Sequence, residues 1–413
     1  SSGGIGAELA STPLALSDAD TGGTAGAPDR LDIPPAVGGT LAGAQSQLVD
    51  AQDYRGFAAT ECAEPSSSIW LVGGSTAVGR STLLTLANPS PVDATVELTI
   101  AGASGPVTAP GMSGIVVKAG QQRVIPLAGF APDVAAPVVH VTASGGQVVA
   151  FLQQSTVRGL DAGGIDLVGA AAATSRHLVI PGVRVLDAVG VNKALALPDW
   201  DDAAPAVRVL APGASSAKVQ VSLVPEDATF GGQSFELDVN AGEVTEIGLD
   251  SGAGTASGGV TIPDGTYTVV IDSDQPVVAG VRVTTAEDPA PTDPAADDTT
   301  APASDFAWFD PSPVLTQDTA VSIAPGEAPM LSVMNPTTAA VTLTLDAEGS
   351  GAGATLLVPA GGAASIAVDP GTTYLLTNAK GLFAAVSYAG SAALARYPVA
   401  SAGPVSGPIV IHP

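Results

Sequence analysis

The residues best placed to do chemistry lie in LPDWDDAAP, where Trp200 sits between Asp199 and Asp201, with Asp202 next along the chain. An indole beside carboxylates in a loop suits carbohydrate: the ring covers a sugar face and the acids accept from its hydroxyls. Trp200, Asp199 and Asp201 are therefore the candidate glycan contacts. A glycosidase needs two carboxyl groups facing one another across about 5–10 Å, and neighbours in one loop do not provide that. The plainer reading is an acidic turn whose tryptophan covers a domain edge.

Other chemistry-bearing residues lead nowhere as sites. Gly74–Ser81, GSTAVGRS, has the spacing of a phosphate loop with Arg80 where lysine belongs. Such a loop must open a helix, whose N-terminus holds the phosphates, and TLLTLANP reads instead as a strand and a proline. His140, His177 and His412 are far apart in separate predicted strands, and no G-x-S-x-G elbow occurs. Asp18 and Asp20 lack the further ligands of a calcium loop. Asp272 and Asp274 read as a turn before a core strand. One cysteine, Cys62, rules out an intramolecular disulfide and a cysteine-based zinc site. No catalytic, cofactor-binding or metal-ligating residue is expected, no cofactor, and no enzymatic activity.

The elements that position these residues follow a repeat. LLTLANPSPVDATVELTI over 83–100 reads as a strand, an Asn-Pro break and a second strand with Val96, Leu98 and Ile100 on one face. The pattern returns with Pro212 before Val219, Val221 and Leu223, and again with Pro336 before Val341, Leu343 and Leu345. A second echo is a Gly turn at Gly120, Gly242 and Gly361, each followed by Ile125, Ile247 or Ile366. About seven strands per repeat predict an all-β chain of three tandem immunoglobulin-like or fibronectin-like sandwiches. The expected divisions are an extended low-complexity arm over 1–66, modules over 67–176, 177–304 and 305–413, and an acidic Pro/Thr-rich loop at 286–304. IWLVGG, HLVIPG, AWFDP and PIVIHP mark module edges and predict close packing between modules.

Composition agrees with short strands and tight turns. The 413 residues include 49 Gly and 34 Pro, and 40 acidic side chains against 14 Lys and Arg give a net charge of −26. Such a surface repels a phosphate backbone and an anionic membrane face, so no nucleic-acid partner is expected. The start at Ser1 without methionine leads us to expect a processed N-terminus.

RGFAATECAEP, then IWLVGGSTAVGRSTLLTLANP, VVAFLQQSTVRGLDAGGIDLV and HLVIPGV together resemble a family of uncharacterised exported actinobacterial proteins, often encoded near a cell-envelope glycosyltransferase. The resemblance is best over 55–185. It carries no catalytic residues with it; Cys62, Trp70 and Asn88-Pro89 match its hallmarks and look structural. It implies an extracytoplasmic location, secreted or attached to the envelope. The expectation is a non-enzymatic scaffold whose partner is an envelope protein, a membrane glycosyltransferase, or itself through the arm and edge strands. The alternative is a carbohydrate-binding array on cell-wall polysaccharide.

Overall fold

The computed structural model describes residues 31–32, 42–51, 54–227, 229–249, 262–287, 302–347, 353–402 and 410–411. Strand takes 59% of the described residues and helix 4%, so the class is all-β. The alternation read from sequence is the one that folds: Ala94–Gly102 buries Val96, Leu98 and Ile100 and exposes the residues between them. Ala217–Pro225 and Val341–Ala347 bury their counterparts Val219, Val221 and Leu223, and Leu343 and Leu345.

Strands pair into sheets whose order repeats. In the first region Gln121–Pro126, Arg80–Asn88, Val149–Arg158 and Asp161–Val168 form one four-stranded sheet. The same order runs Val244–Gly248, Ala206–Leu210, the C-terminal half of Gly265–Ala286, and Ser304–Phe309. It returns as Ala363–Ala367, Met330–Met334, Phe383–Gly390 and Ala393–Val399. Each faces a second sheet, and three large apolar clusters occupy the spaces between them. Gly265–Ala286 is long enough to join both sheets of the middle region.

The Asn-Pro break is a turn staple. Buried Asn88 donates from Nδ2 to the carbonyls of Val92 (2.8 Å) and Val117 (2.9 Å) and accepts from the Ser90 amide. Asn335 repeats this with Ala339 and Val358 and accepts from Thr337. In the middle copy Ala211 bridges Ala241 through its backbone instead.

Two parts of the sequence reading need restating. Within the expected arm, Ala44–Asp50 and Arg55–Glu61 form an antiparallel hairpin. Its second strand is not a solvated extension, because Phe57, Ala58 and Ala59 are buried. Leu31–Asp32 pairs with Val410–Ile411; residues 1–30, 33–41, 52 and 53 of the arm lie outside the described residues, as do His412 and most of the 286–304 loop, and with them Asp18 and Asp20. Ser304–Phe309, the AWFDP edge, ladders onto Val281–Ala286 and so belongs to the middle sheet. Its alternate side chains enter different cores: Ala307 and Phe309 that of the middle region, Phe306 and Trp308 that of the first.

Candidate functional site

The last strand of each repeated sheet, Asp161–Val168, Ser304–Phe309 and Ala393–Val399, converges with Arg55–Glu61 in a closed ring of four packed strands. At its centre lies Asp305, fully buried. Its Oδ1 accepts from the amides of Ile165 (3.1 Å) and Phe306 (3.0 Å), its Oδ2 from Phe57 (2.8 Å) and Leu394 (2.9 Å). One carboxylate therefore takes an amide from every strand of the ring. Gly56 (φ +143°) and Gly164 (φ +117°) permit this: a Cβ on either would lie within 3 Å of Asp305 side-chain or backbone atoms. Burial pushes the Asp305 carboxyl well above the usual range, against the amides, which favour the anion. Asp166, buried in the neighbouring strand, accepts from the Trp308 amide at 2.7 Å and is raised by the same cause.

Trp308 is the second fixture. Its indole donates to Gln154 at 2.7 Å, and the Arg208 guanidinium lies 4.3 Å from its ring centre, with Arg282 at 5.6 Å. Both arginines pair with Glu246, at 2.6 and 3.1 Å. Burial alone would raise Glu246, but the two guanidiniums bring its pKa below the ordinary value. Arg208 also donates to the carbonyls of Gly74, Pro137 and Ala135 in the first region. The cluster fixes the first region to the middle one.

The sequence-derived site proves to be a third junction. Trp200 is 3% exposed, with the Arg158 guanidinium 4.1 Å from its ring centre. Asp202 takes a forked pair from Arg80 (2.9 Å each) and a further bond from Arg158 at 2.6 Å. Burial would raise its carboxyl, but the Arg80 bond and the charges of Arg282, Arg158 and Arg80 hold it well below the carboxylate range. Asp199 (φ +65°) contributes its carbonyl to both Arg80 and Arg158, while the Asp201 side chain is exposed. With its indole roofed by a guanidinium, Trp200 has no free face for a sugar. Arg80, the lysine stand-in of the phosphate-loop lookalike, begins a strand and serves this clamp.

His140 and His177 lie in different sheets. His140 stacks on Trp70 at 3.9 Å and meets Ser68 Oγ, and burial lowers its pKa. His177 pairs with Asp272 at the surface. No group of three or more metal-ligating side chains occurs among the described residues.

Like the Asp305 lock, a cavity of about 250 Å³ beside the ring has no signal in the sequence. Half-buried Glu61 and Cys62 line it where their strand ends, with Ala171, Ser322, Tyr397 and Pro398. Burial pushes Glu61 up to about 8, with Arg396 and the Ala400 amide opposing and Glu64 adding. Behind it, burial lifts Asp310 to about 7 against the charge of Arg396, itself lowered by burial to about 10. Arg396 bonds Ser312 Oγ and the Asp310 carbonyl. Cys62 is lifted to about 12 by burial and by Glu61, so its thiol is not a nucleophile near neutral pH.

The likeness to solved structures is slight. A Thermotoga maritima protein, the structure of "Thermotoga maritima 1070", is 12% identical with a TM-score of 0.22, over 33% of this chain and 93% of that one. A structure concerning host-cell surface retention of a bacterial ice-binding adhesin is 14% identical with a TM-score of 0.12, over 82% and 99%. A biofilm-associated protein BSP domain is 12% identical with a TM-score of 0.13, over 88% and 66%. No curated protein matches the sequence. Residues 35–373 do match one family, described as a family of unknown function, DUF5719, and the chain belongs to it.

Proposed function

We propose that this protein is a non-enzymatic scaffold of the cell envelope, exported and held outside the cytoplasmic membrane. The observation that carries the reading is the Asp305 lock, which gathers four strands from distant parts of the chain into one ring. Around it, Arg80, Arg158, Arg208 and Arg396 are engaged between regions. Such an assembly resists hinge motion, and a spacer or platform needs that property more than an enzyme does. The envelope location and a membrane glycosyltransferase or surface assembly as partner come from the family resemblance. Edge strands Gln233–Val239 and Gly353–Val358, each terminal in its sheet, are the natural contacts for self-assembly.

Crosslinking a tagged chain in its own cells and fractionating them tests the proposal. A discrete complex in the envelope fraction is the expected result; recovery only as a free cytosolic monomer overturns it. The arm is tested by deleting residues 1–30, because a cut at 66 would also remove the ring strand Arg55–Glu61. Nothing in the geometry favours the carbohydrate-binding alternative, since Trp200 is enclosed.

A further inference from the structure

The cavity beside the ring has a lining with a definite chemical bias. Its charged members are Glu61 and Glu64, and no Lys, Arg or His lines it among the described residues. The rest of the wall is mostly alkyl, drawn from alanines such as Ala171 and from Pro313, Pro398 and Val399. Tyr397 is the one aromatic ring among the described lining residues, so the box of rings that holds a quaternary ammonium is not formed. At about 250 Å³ the space falls below the roughly 300–1,000 Å³ of pockets that take drug-sized ligands. It suits a single side chain: an alkyl stem against alanine and proline, with a cationic head at a carboxylate. That is the way lysine divides itself between apolar and polar surroundings.

We propose that this cavity is a binding site for a primary alkylammonium group, the side chain of a lysine on a partner chain, with Glu61 as the carboxylate that receives it. The net charge of −26 adds a long-range field that draws cationic partners toward the surface. The inference goes beyond the scaffold reading and stands whether or not the protein is exported. Besides Glu64 and Cys62, the ionisable groups around Glu61 are Arg396 and Tyr397 on Ala393–Val399, and Asp310 behind Arg396. Burial holds the Glu61 carboxyl up at about 8. Binding should therefore strengthen as pH rises through that value, and weaken again above about 10.4, where lysine loses its proton.

Titration of the whole chain with Nα-acetyl-lysine-N-methylamide, followed by amide NMR shifts at Cys62, Ala171 and Ala400, tests this. The expected result is saturable binding at pH 9, weaker at pH 6. The Nε-acetylated and norleucine analogues and Glu61→Gln should each lower affinity roughly tenfold or more, as loss of a charge-assisted bond requires. Ala171→Leu, which fills the space and leaves the carboxylate in place, should abolish binding. Equal affinity for the norleucine analogue, unchanged affinity in folded Glu61→Gln, or no shift at tens of millimolar probe would overturn the proposal. Envelope crosslinking does not enter these readouts, so failure here leaves the scaffold reading intact.

Discussion

Asp305→Ala removes the one acceptor that the amides of Phe57, Ile165, Phe306 and Leu394 share. Each buried amide left without a partner costs about 1–3 kcal/mol, so four set a range of about 4–12 kcal/mol. The vacated space is close to that of a water molecule, which makes 2–4 bonds when buried and would recover part of the loss. A water accepts from two of the four amides and leaves two unpaired, so the expected destabilisation is about 2–6 kcal/mol, a large share of the ~5–15 kcal/mol that a folded domain has in total. Asp305→Asn keeps one carbonyl oxygen for two amides but turns its own NH2 toward the other two, for about 2–6 kcal/mol by the same count. Urea unfolding followed by tryptophan fluorescence reads the effect locally, because Trp308 lies in the same strand and Trp200 in the adjoining clamp. The early event in Asp305→Ala should be a fluorescence change at lower urea than the loss of far-UV signal, as the ring opens before the sheets do. Hydrogen exchange at Phe57, Ile165 and Leu394 should accelerate. Unchanged midpoints in both variants, with those amides still protected, would refute the account of Asp305 as the lock.

Stability should fall between about pH 5 and pH 9. Asp166, Asp305, Asp310 and Glu61 all have folded pKa values raised by burial, to about 7 and 8 for the last two. Their contribution is complete below the unfolded carboxylate value and is lost as pH rises through the folded values; a Tm flat or rising over that range would contradict this. Asp202 has the opposite sign, its depressed pKa giving stability that is lost only as pH falls below about 4. Asp202→Asn leaves two guanidiniums short of their partner and should cost about 3–5 kcal/mol, with a double-mutant cycle against Arg158→Ala showing coupling. Trp200→Ala should lower stability by about 3–5 kcal/mol through the cavity it leaves, while retention on cell-wall polysaccharide stays as in the parent; selective loss of retention in a folded variant would revive the glycan reading. Asn88→Ala and Asn335→Ala should each cost about 1–3 kcal/mol and add in the double variant, since they staple turns in separate regions.

The strands were legible because half-buried sheets write themselves in period two. Val96, Leu98 and Ile100 and their counterparts at 219–223 and 341–345 sit on alternating positions, and the structure buries them except Val341, which is only partly covered. The hairpin inside the expected arm was not legible, for a physical reason. Its buried strand uses Phe57 with Ala58 and Ala59, and alanines in a Gly- and Ala-rich stretch carry little hydropathic contrast. Gly56 beside them has no room even for a Cβ, which would lie 2.5 Å from Asp305 Oδ1. The Asp305 lock was invisible altogether: its donors lie at 57, 165, 306 and 394, and no local spacing connects them.

A signal for the junctions was nevertheless present in the cations. The chain has only 14 Lys and Arg, and five of the arginines sit inside apolar strand runs: TVRG at Arg158, VRV at Arg184, Arg208 and Arg282, and LARY at Arg396. An arginine there must be either an outward residue on a half-exposed strand or a buried group with a carboxylate and carbonyls to meet its five donors. In an acidic chain the surface has no need of scattered cations, which favours the second. Arg158, Arg208, Arg282 and Arg396 are buried, at 7%, 0%, 6% and 3% exposure, and Arg184 is half-buried; all but Arg282, whose bond to Glu246 stays within the middle sheet, bond to another region. The acidic Trp200 loop then reads differently from a glycan site: it supplies the anion that Arg80 and Arg158 require. Weighing each carboxylate against the arginines in predicted strands, before assigning it a ligand, would have placed Asp202 at the centre of that loop in place of Asp199 and Asp201.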